Sequence, residues 1–210
     1  MPVKAVLFDL DGVLIDTEGI YTEFWDKIDQ RYHTGIENFA LVIKGSTLAT
    51  ILDTHFPDFE IQSEICKELR DFEDNMPFRL FEGVDTLLNL LHTSGYATAI
   101  VTSSNRKKMD RVFKELPVLA ENIDTLITDE DVTESKPHPQ GYLKAAERLC
   151  ALPDSFVVVE DSLAGLEAGR RAGGRVVAIA TTNPRSRIES LADITLDSTT
   201  DLWNYICKLD

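Results

Sequence analysis

The sequence predicts an α/β fold, a doubly wound parallel sheet with a small inserted α-helical domain. Short apolar segments of strand length recur along the chain, and from residue 83 onward amphipathic helical segments separate them. The stretch 16–79, after the first strand, shows helical spacing and no convincing strand. Strands that alternate with helices form a parallel sheet with helices on both faces, and such a sheet binds ligands at the carboxyl ends of its strands.

The first strand is predicted at residues 5–8, which are apolar, lack polar alternation and are too few for a helix. Helical spacing covers 16–32 and returns in patches over 34–74, so the predicted domains are a helical one at 16–79 and an α/β core at 1–15 and 80–210. Further strands are expected at 97–101, 123–128, 155–159, 176–180 and 194–196. Further helices are expected at 84–93, 106–116, 140–150, 163–172 and 201–209.

Composition limits the functional classes. The chain has 210 residues, 43% of them hydrophobic, and a formal net charge of −15. That charge repels phosphate backbones and anionic lipids, which excludes nucleic acid as the main partner, and no apolar run approaches the ~20 residues of a membrane span. We expect a cytoplasmic protein without a signal peptide, a monomer or weak homo-oligomer. Cys66, Cys150 and Cys207 lack metal-binding spacing and are predicted to be packing residues of a reduced protein.

Carboxylates follow two of the predicted strands. Asp9 and Asp11 come after the first strand, with Gly12 to turn the chain, and Glu160 and Asp161 end the fourth. One carboxylate suits a nucleophile and another a proton donor, with Mg²⁺ held by Asp9, the Asp11 carbonyl and Asp161, and by Glu160 either directly or through water. The alternatives are a solvated acidic turn and an acidic helix N-terminus. Neither explains acids at the ends of two buried strands.

Polar residues follow two further strands. Lys136, held in a loop by Pro137 and Pro139, is placed to neutralise a phosphate and a carboxylate; a solvated loop lysine is the alternative. The second strand ends in hydroxyls that can bind a phosphate oxygen while the N–H groups of the next helix help to hold the anion; helix capping is the alternative. These residues are Thr102, Ser103, Ser104 and Asn105.

Four short motifs follow one another along the chain: Asp9-x-Asp11, Thr102, Lys136-Pro137 and Glu160-Asp161-Ser162-x-x-Gly165. Together they resemble the four motifs of the haloacid dehalogenase superfamily. The match runs through nearly the whole chain and is most similar to the β-phosphoglucomutase/phosphoglycolate phosphatase branch. The resemblance implies a Rossmann-like core with a helical cap at 16–79. It also implies a Mg²⁺-dependent phosphatase that hydrolyses a small phosphorylated metabolite, such as a sugar phosphate.

In the implied mechanism, Asp9 attacks phosphorus to form an aspartyl-phosphate, and Asp11 protonates the leaving oxygen and then activates water. Mg²⁺ and Lys136 offset charge, and Thr102 orients the phosphoryl group. The resemblance also assigns a substrate-binding loop in the cap, at Lys44, Gly45, Ser46 and Thr47.

A β-phosphoglucomutase-type phosphosugar mutase is the first alternative. The resemblance would then require a histidine near Tyr21 and an arginine near Leu48, and this sequence has neither. A catalytically silent phosphate-binding regulatory protein is the second alternative. Such a protein is expected to have lost Asp9 or Asp11, and both are present.

Overall fold

The computed structural model describes residues 2–43 and 48–209. The chain divides into two compact units, Thr17–Pro77 and a larger one that combines Met1–Asp16 with Phe78–Asp210. Inside the larger unit, the Asp16 N–H donates to Arg79 O over 2.9 Å and the Phe81 N–H donates to Leu14 O over 3.1 Å. The chain therefore leaves and re-enters the larger unit at adjacent points.

The smaller unit is helical wherever it has regular structure in its described part. Asp58 begins its longest helix by accepting a hydrogen bond from the Glu60 N–H over 2.8 Å. An aromatic-rich core holds the unit together, with Phe24, Trp25 and Phe39 all buried. Its helices are α1 (Glu18–Tyr32), α2 (Phe39–Val42), α3 (Leu48–His55) and α4 (Phe59–Asn75).

The larger unit is built on a parallel sheet. In the described part of the chain this sheet has six strands, in the order β3-β2-β1-β4-β5-β6. The strands are β1 (Ala5–Phe8), β2 (Ala97–Val101), β3 (Thr125–Ile127), β4 (Phe156–Glu160), β5 (Arg175–Ile179) and β6 (Ile194–Leu196). The predicted fold class, a doubly wound α/β sheet, is confirmed.

The centre of the sheet explains where ligands bind. Every residue of β1 and β4 is buried, as their apolar sequences predict. After β1 the chain builds the sheet outward through β2 and β3, and from β4 it builds in the opposite direction. The carboxyl ends of β1 and β4 thus flank the topological switch point, where open α/β sheets bind their ligands.

Helices cover the sheet, and one of them was not predicted from the sequence. The expected helix 106–116 ends at Glu115, and Pro117 starts a further helix that was not predicted, because proline lacks an N–H and suits a first helical position. Ile123 caps that helix, so the third strand is shorter than the predicted 123–128. The helices are α5 (Val84–Thr93), α6 (Arg106–Glu115), α7 (Pro117–Asn122), α8 (Gln140–Arg148), α9 (Leu163–Arg171), α10 (Arg185–Ile188) and α11 (Leu202–Ile206).

The cysteine prediction was partly wrong. Cys66 is half-buried in the helical unit, whereas Cys150 and Cys207 are exposed and so contribute little packing. Cys150 follows α8 with φ +53°, and Cys207 caps α11 at its C-terminal end, both surface positions. In the described part of the chain, no helix is both long and apolar enough to cross a bilayer.

Candidate active site

The site begins at the carboxyl end of β1. The Asp9 N–H donates to Val159 O over 2.9 Å, which extends the pairing of β1 and β4 by one residue. Gly12 then turns the chain with φ +80°, which glycine adopts without strain and which confirms its predicted role. A Cβ at Gly12 would lie 1.9 Å from Asp161 Oδ2, so a side chain has no room there.

Asp9, Glu160 and Asp161 form a carboxylate cluster across the switch point. Each offers an oxygen, and these oxygens lie within 4.8 Å of one another. Glu160 and Asp161 are buried at the end of β4, and the Thr182 hydroxyl donates to Asp161 Oδ2. An all-oxygen donor set of this kind fits a hard cation such as Mg²⁺.

Protein donors engage both oxygens of Glu160. Oε2 accepts hydrogen bonds from the Asp161 N–H (3.0 Å) and from the N–H (3.1 Å) and hydroxyl (2.9 Å) of Ser162. Oε1 accepts from Lys136 Nζ at 2.6 Å and from the Tyr142 hydroxyl at 2.9 Å. Because these contacts satisfy a fully buried carboxylate, they compensate for the cost of its burial.

Lys136 links the two strand ends electrostatically. Its ammonium donates to Asp9 Oδ1, to Glu160 Oε1 and, over 3.0 Å, to the Val101 carbonyl at the end of β2. An ammonium has three hydrogens, and these three acceptors match them. The Lys136 side chain is only 12% exposed. Lys136 is therefore not a solvated loop lysine, because it contacts two carboxylates of the cluster.

Burial and mutual charge perturb the acids of the cluster. Burial, reinforced by the charge of Glu160, raises the pKa of Asp9 to about 7 even though Lys136 opposes it. Burial likewise raises the pKa of Asp161 well above its usual value, and the charges of Glu160 and Asp9 add to the effect. A bound cation would stabilise both carboxylates.

Glu160 and Lys136 behave as a charged pair. Burial on its own would raise the pKa of Glu160, but the Lys136 ammonium outweighs it and holds that pKa below the ordinary value. Burial would lower the pKa of Lys136, yet Asp9 and Glu160 raise it well above the ordinary value. The lysine therefore stays cationic beside the proposed nucleophile.

Asp11 lies beyond the cluster, facing the residues that follow β2. Lys108 Nζ lies 2.8 Å from Asp11 Oδ1 and 2.7 Å from Oδ2. The Ser104 hydroxyl donates to Asp11 Oδ2 over 3.2 Å. The segment after β2 thus contacts the second carboxylate of the Asp-x-Asp pair.

The remaining predicted residues after β2 have distinct positions. Thr102 is buried, and its hydroxyl accepts from the Ser104 N–H over 3.0 Å. Ser103 lines a small cavity together with Thr102 and Lys136. Asn105 caps α6 by accepting from the Lys108 N–H over 2.8 Å. The capping alternative therefore describes the Asn105 side chain.

One expectation about α6 is corrected. The N–H groups at its start were expected to help hold an anion, but protein acceptors engage two of them. The Arg106 N–H donates to both carboxylate oxygens of Glu130, at 3.1 and 3.0 Å, and the Lys108 N–H donates to Asn105. These two N–H groups are therefore already engaged by protein acceptors.

The predicted cap loop of Lys44, Gly45, Ser46 and Thr47 lies outside the described residues. Sequence reasoning missed the contacts that Lys108, Tyr142 and Thr182 make to the site. Thr182 had a usable signal, because it lies three residues after the end of β5, in a segment that also contains Thr181. Lys108 had one too, since a run of cations at a helix N-terminus opposes the helix dipole.

Comparisons with known proteins identify the family of the chain. Residues 6–179 match the family described as haloacid dehalogenase-like hydrolase. The chain is 31% identical over 210 residues to validoxylamine A 7'-phosphate phosphatase of Streptomyces hygroscopicus subsp. limoneus, covering 97% of this chain and 98% of that protein.

Solved structures share the fold. A HAD family hydrolase of Deinococcus radiodurans R1, with bound phosphate and sodium, has a TM-score of 0.84 at 25% identity and covers 99% of this chain and 96% of its own. A putative β-phosphoglucomutase of Thermotoga maritima has a TM-score of 0.72 at 22% identity, over 98% of this chain and 99% of its own, a likeness of fold alone. The family match includes all the strand ends that carry the site, from Asp9 to Asp161. The chain therefore belongs to the haloacid dehalogenase-like hydrolases and is an enzyme of the phosphohydrolase type.

Proposed function

We propose that this enzyme is a Mg²⁺-dependent phosphatase that hydrolyses the monoester of a small phosphorylated metabolite through an aspartyl-phosphate on Asp9. The observation that carries the proposal is the position of Asp9. Its carboxylate lies beside the Lys136 ammonium and within 4.8 Å of oxygens of Glu160 and Asp161, at the switch point of the sheet. A nucleophile, a counter-cation and an all-oxygen cation site are thereby brought together.

The chain's own residues supply each chemical role. An Asp9 oxygen forms the bond to phosphorus while the bond to the leaving oxygen breaks, and Asp11 gives that oxygen a proton. A water oxygen then attacks phosphorus, Asp11 takes a proton from that water, and the electron pair of the broken P–O bond returns to Asp9. Both carboxyl groups end the cycle in their starting protonation states.

The cation site and the phosphate contacts complete the proposal. Mg²⁺, when bound by Asp9, Asp161 and the Asp11 carbonyl, would offset the charge of nucleophile and phosphate. Glu160 is assigned to orient Lys136, because protein donors engage both of its oxygens. Thr102 and Lys136 are assigned to the phosphoryl oxygens, with Ser103 and Ser104 nearby.

The comparisons support a phosphatase. The Streptomyces relative is named for a phosphatase reaction and covers nearly the whole chain, and the Deinococcus structure carries phosphate. We assign the α/β core to 1–15 and 80–210 and the cap to 16–79, with Lys44, Gly45, Ser46 and Thr47 as its substrate-contacting loop. The mutase alternative lacks its cap arginine in this sequence, since no arginine lies between Arg31 and Arg70.

A panel of phosphorylated metabolites assayed for released phosphate, with Mg²⁺ or with excess chelator, tests the proposal. The Asp9→Asn variant should lose activity by about 10³-fold or more, because an amide is neither a competent nucleophile nor an anionic ligand. Asp110→Asn is the matched control, since Asp110 is an exposed residue of α6. Substantial turnover by Asp9→Asn, or full activity in chelator, would refute the mechanism.

A further inference from the structure

The first turn of α6 carries a costly arrangement of charge. Arg106, Lys107 and Lys108 occupy its first three positions, where the positive end of the helix dipole repels cations. Asn105 fixes this start by capping the helix through the Lys108 N–H. Arg106 forms an ion pair with Asp131 over 3.0 Å, and Lys108 forms one with Asp11.

Lys108 makes its contact with Asp11. The ammonium lies within 2.8 Å of both Asp11 oxygens, and the Ser104 hydroxyl adds a third hydrogen bond. The two side chains are partly shielded from water, with 17% of Lys108 and 32% of Asp11 exposed. The contact lies inside the larger unit and spans 97 positions of sequence.

Asp11 needs such support more than Asp9 does. Asp9 lies directly after β1, and its N–H continues the sheet pairing, whereas Asp11 follows in the turn that leads to Gly12. Its carboxylate has two rotatable side-chain bonds and is about a third exposed. A group that transfers protons must nonetheless stay within hydrogen-bond reach of the reacting oxygen.

We propose that Lys108 is a positioning residue that fixes the Asp11 carboxylate for proton transfer. The inference rests on the proposed function, in which Asp11 serves the leaving oxygen first and the attacking water second. Lys108 acts through Asp11 and is not assigned to the substrate. The cap of α6 by Asn105 sets the backbone position from which Lys108 reaches Asp11.

The two chemical steps depend on Asp11 to different extents when the substrate is p-nitrophenyl phosphate. The p-nitrophenolate leaves as a stable anion, so the bond from Asp9 to phosphorus forms without a proton from Asp11. Hydrolysis of the aspartyl-phosphate still requires Asp11 to accept a proton from water as the P–O bond to Asp9 breaks. A misplaced Asp11 therefore slows the second step more than the first.

The test compares Lys108→Met, Lys108→Arg and the parent enzyme with p-nitrophenyl phosphate and Mg²⁺. Lys114→Met is the matched control, since Lys114 is an exposed lysine in the last turn of the same helix. We expect Lys108→Met to lower kcat by roughly 10- to 100-fold and to lower KM in parallel, so that kcat/KM changes much less, because hydrolysis of the phosphoenzyme becomes the slow step. Acid quench and intact-protein mass spectrometry should show a larger fraction of phosphorylated enzyme at steady state than in the parent.

The other outcomes distinguish a failure of the role proposed for Lys108 from a failure of the proposed phosphatase mechanism. Lys108→Arg should recover most of kcat, because arginine can also contact both carboxylate oxygens. A kcat for Lys108→Met equal to that of Lys114→Met, a rise in KM alone, or a lower kcat without phosphoenzyme accumulation would overturn the role of Lys108. Turnover by Asp9→Asn in the same assay would instead overturn the proposed function.

Discussion

Tyr142 donates its phenolic hydrogen to Glu160 Oε1 over 2.9 Å, and both side chains are fully buried. The Lys136 ammonium contacts the same oxygen and lies 5.2 Å from the centre of the Tyr142 ring. Burial and the charge of Glu160 raise the pKa of Tyr142 well above its ordinary value, so the phenol remains a donor. Tyr142 thereby helps to hold the carboxylate that contacts the Lys136 ammonium.

We predict that Tyr142→Phe destabilises the protein by about 1–3 kcal/mol, because a buried carboxylate loses a hydrogen bond. Tyr32→Phe is the matched control: Tyr32 makes the same kind of bond to Glu64, over 2.9 Å, but at an exposed site, where the loss should stay within about 0.5 kcal/mol. Urea unfolding of both variants measures the difference. If the two substitutions lower the free energy of unfolding by the same amount, the buried hydrogen bond contributes no more to stability than the exposed one.

A second prediction concerns Gly165, in the first turn of α9. A Cβ there would lie 1.7 Å from Glu160 Oε1, and the neighbouring donors leave that carboxylate little freedom to move. Gly165→Ala should therefore cost about 1–3 kcal/mol of stability and also lower kcat, since Lys136 loses its support.

Gly19→Ala is the control for that substitution, because a Cβ at Gly19 in α1 meets nothing within 4 Å. Alanine is the better helix former, so this variant should be unchanged or more stable, by up to about 1 kcal/mol. Thermal unfolding and kcat of the two variants give the comparison. A Gly165→Ala enzyme with the stability and kcat of the parent would mean that Glu160 moves aside freely.

A third prediction links Mg²⁺ binding to protons. Burial raises the pKa of Asp9 to about 7 and that of Asp161 well above its usual value, so the metal-free site holds protons that Mg²⁺ must displace. Raising the pH removes those protons, and the apparent affinity should rise by about tenfold per pH unit below pH 7 for each proton released.

Isothermal titration calorimetry between pH 5.5 and pH 8.5, in buffers of different ionisation enthalpy, measures both the affinity and the number of protons released. The Asp9→Asn variant, which lacks one of these acids, should release fewer protons. An affinity for Mg²⁺ that is independent of pH across this range would contradict the placement of the cation at Asp9 and Asp161.

The central strands of the sheet could be predicted from the sequence because each one is marked by its own short run of residues. β1 and β4 are apolar without interruption, and a strand buried on both faces requires that pattern. The position of Asp9, Glu160 and Asp161 then follows from parallel strands that end at one edge of a sheet. Pro117 was a local signal too, but it was not used, and α7 was missed.

Contacts that depend on the path of loops escaped prediction. The contact between Lys108 and Asp11 joins residues far apart in sequence, and no spacing rule states where a helix after β2 directs its third side chain. The contact of Tyr142 was not predicted for a related reason. From the sequence, its aromatic ring is expected only to pack in the hydrophobic core, and the three-dimensional structure is needed to show that its hydroxyl reaches a buried carboxylate.

The last prediction separates a phosphatase from a mutase by the cations of the smaller unit. A mutase must hold a second phosphate at the far end of its substrate, a task that suits a bidentate arginine. Arg31 is paired with Glu68, and Tyr21, near which a mutase histidine was expected, donates to Glu73 over 3.0 Å. Lys44 is the cation of the proposed cap loop, and it carries a point charge without the bidentate geometry of arginine.

We therefore expect free phosphate, without net isomerisation, when the enzyme receives β-glucose 1-phosphate, Mg²⁺ and a trace of glucose 1,6-bisphosphate. Glucose 6-phosphate and inorganic phosphate are assayed in the same samples, with Asp9→Asn as the inactive control. Because both reactions begin with the same attack by Asp9, slow turnover of this particular sugar does not decide the question; the ratio of the two products does. Rapid formation of glucose 6-phosphate with little free phosphate would establish the mutase, and it would leave the assignment of Asp9, Lys136 and the cation site intact.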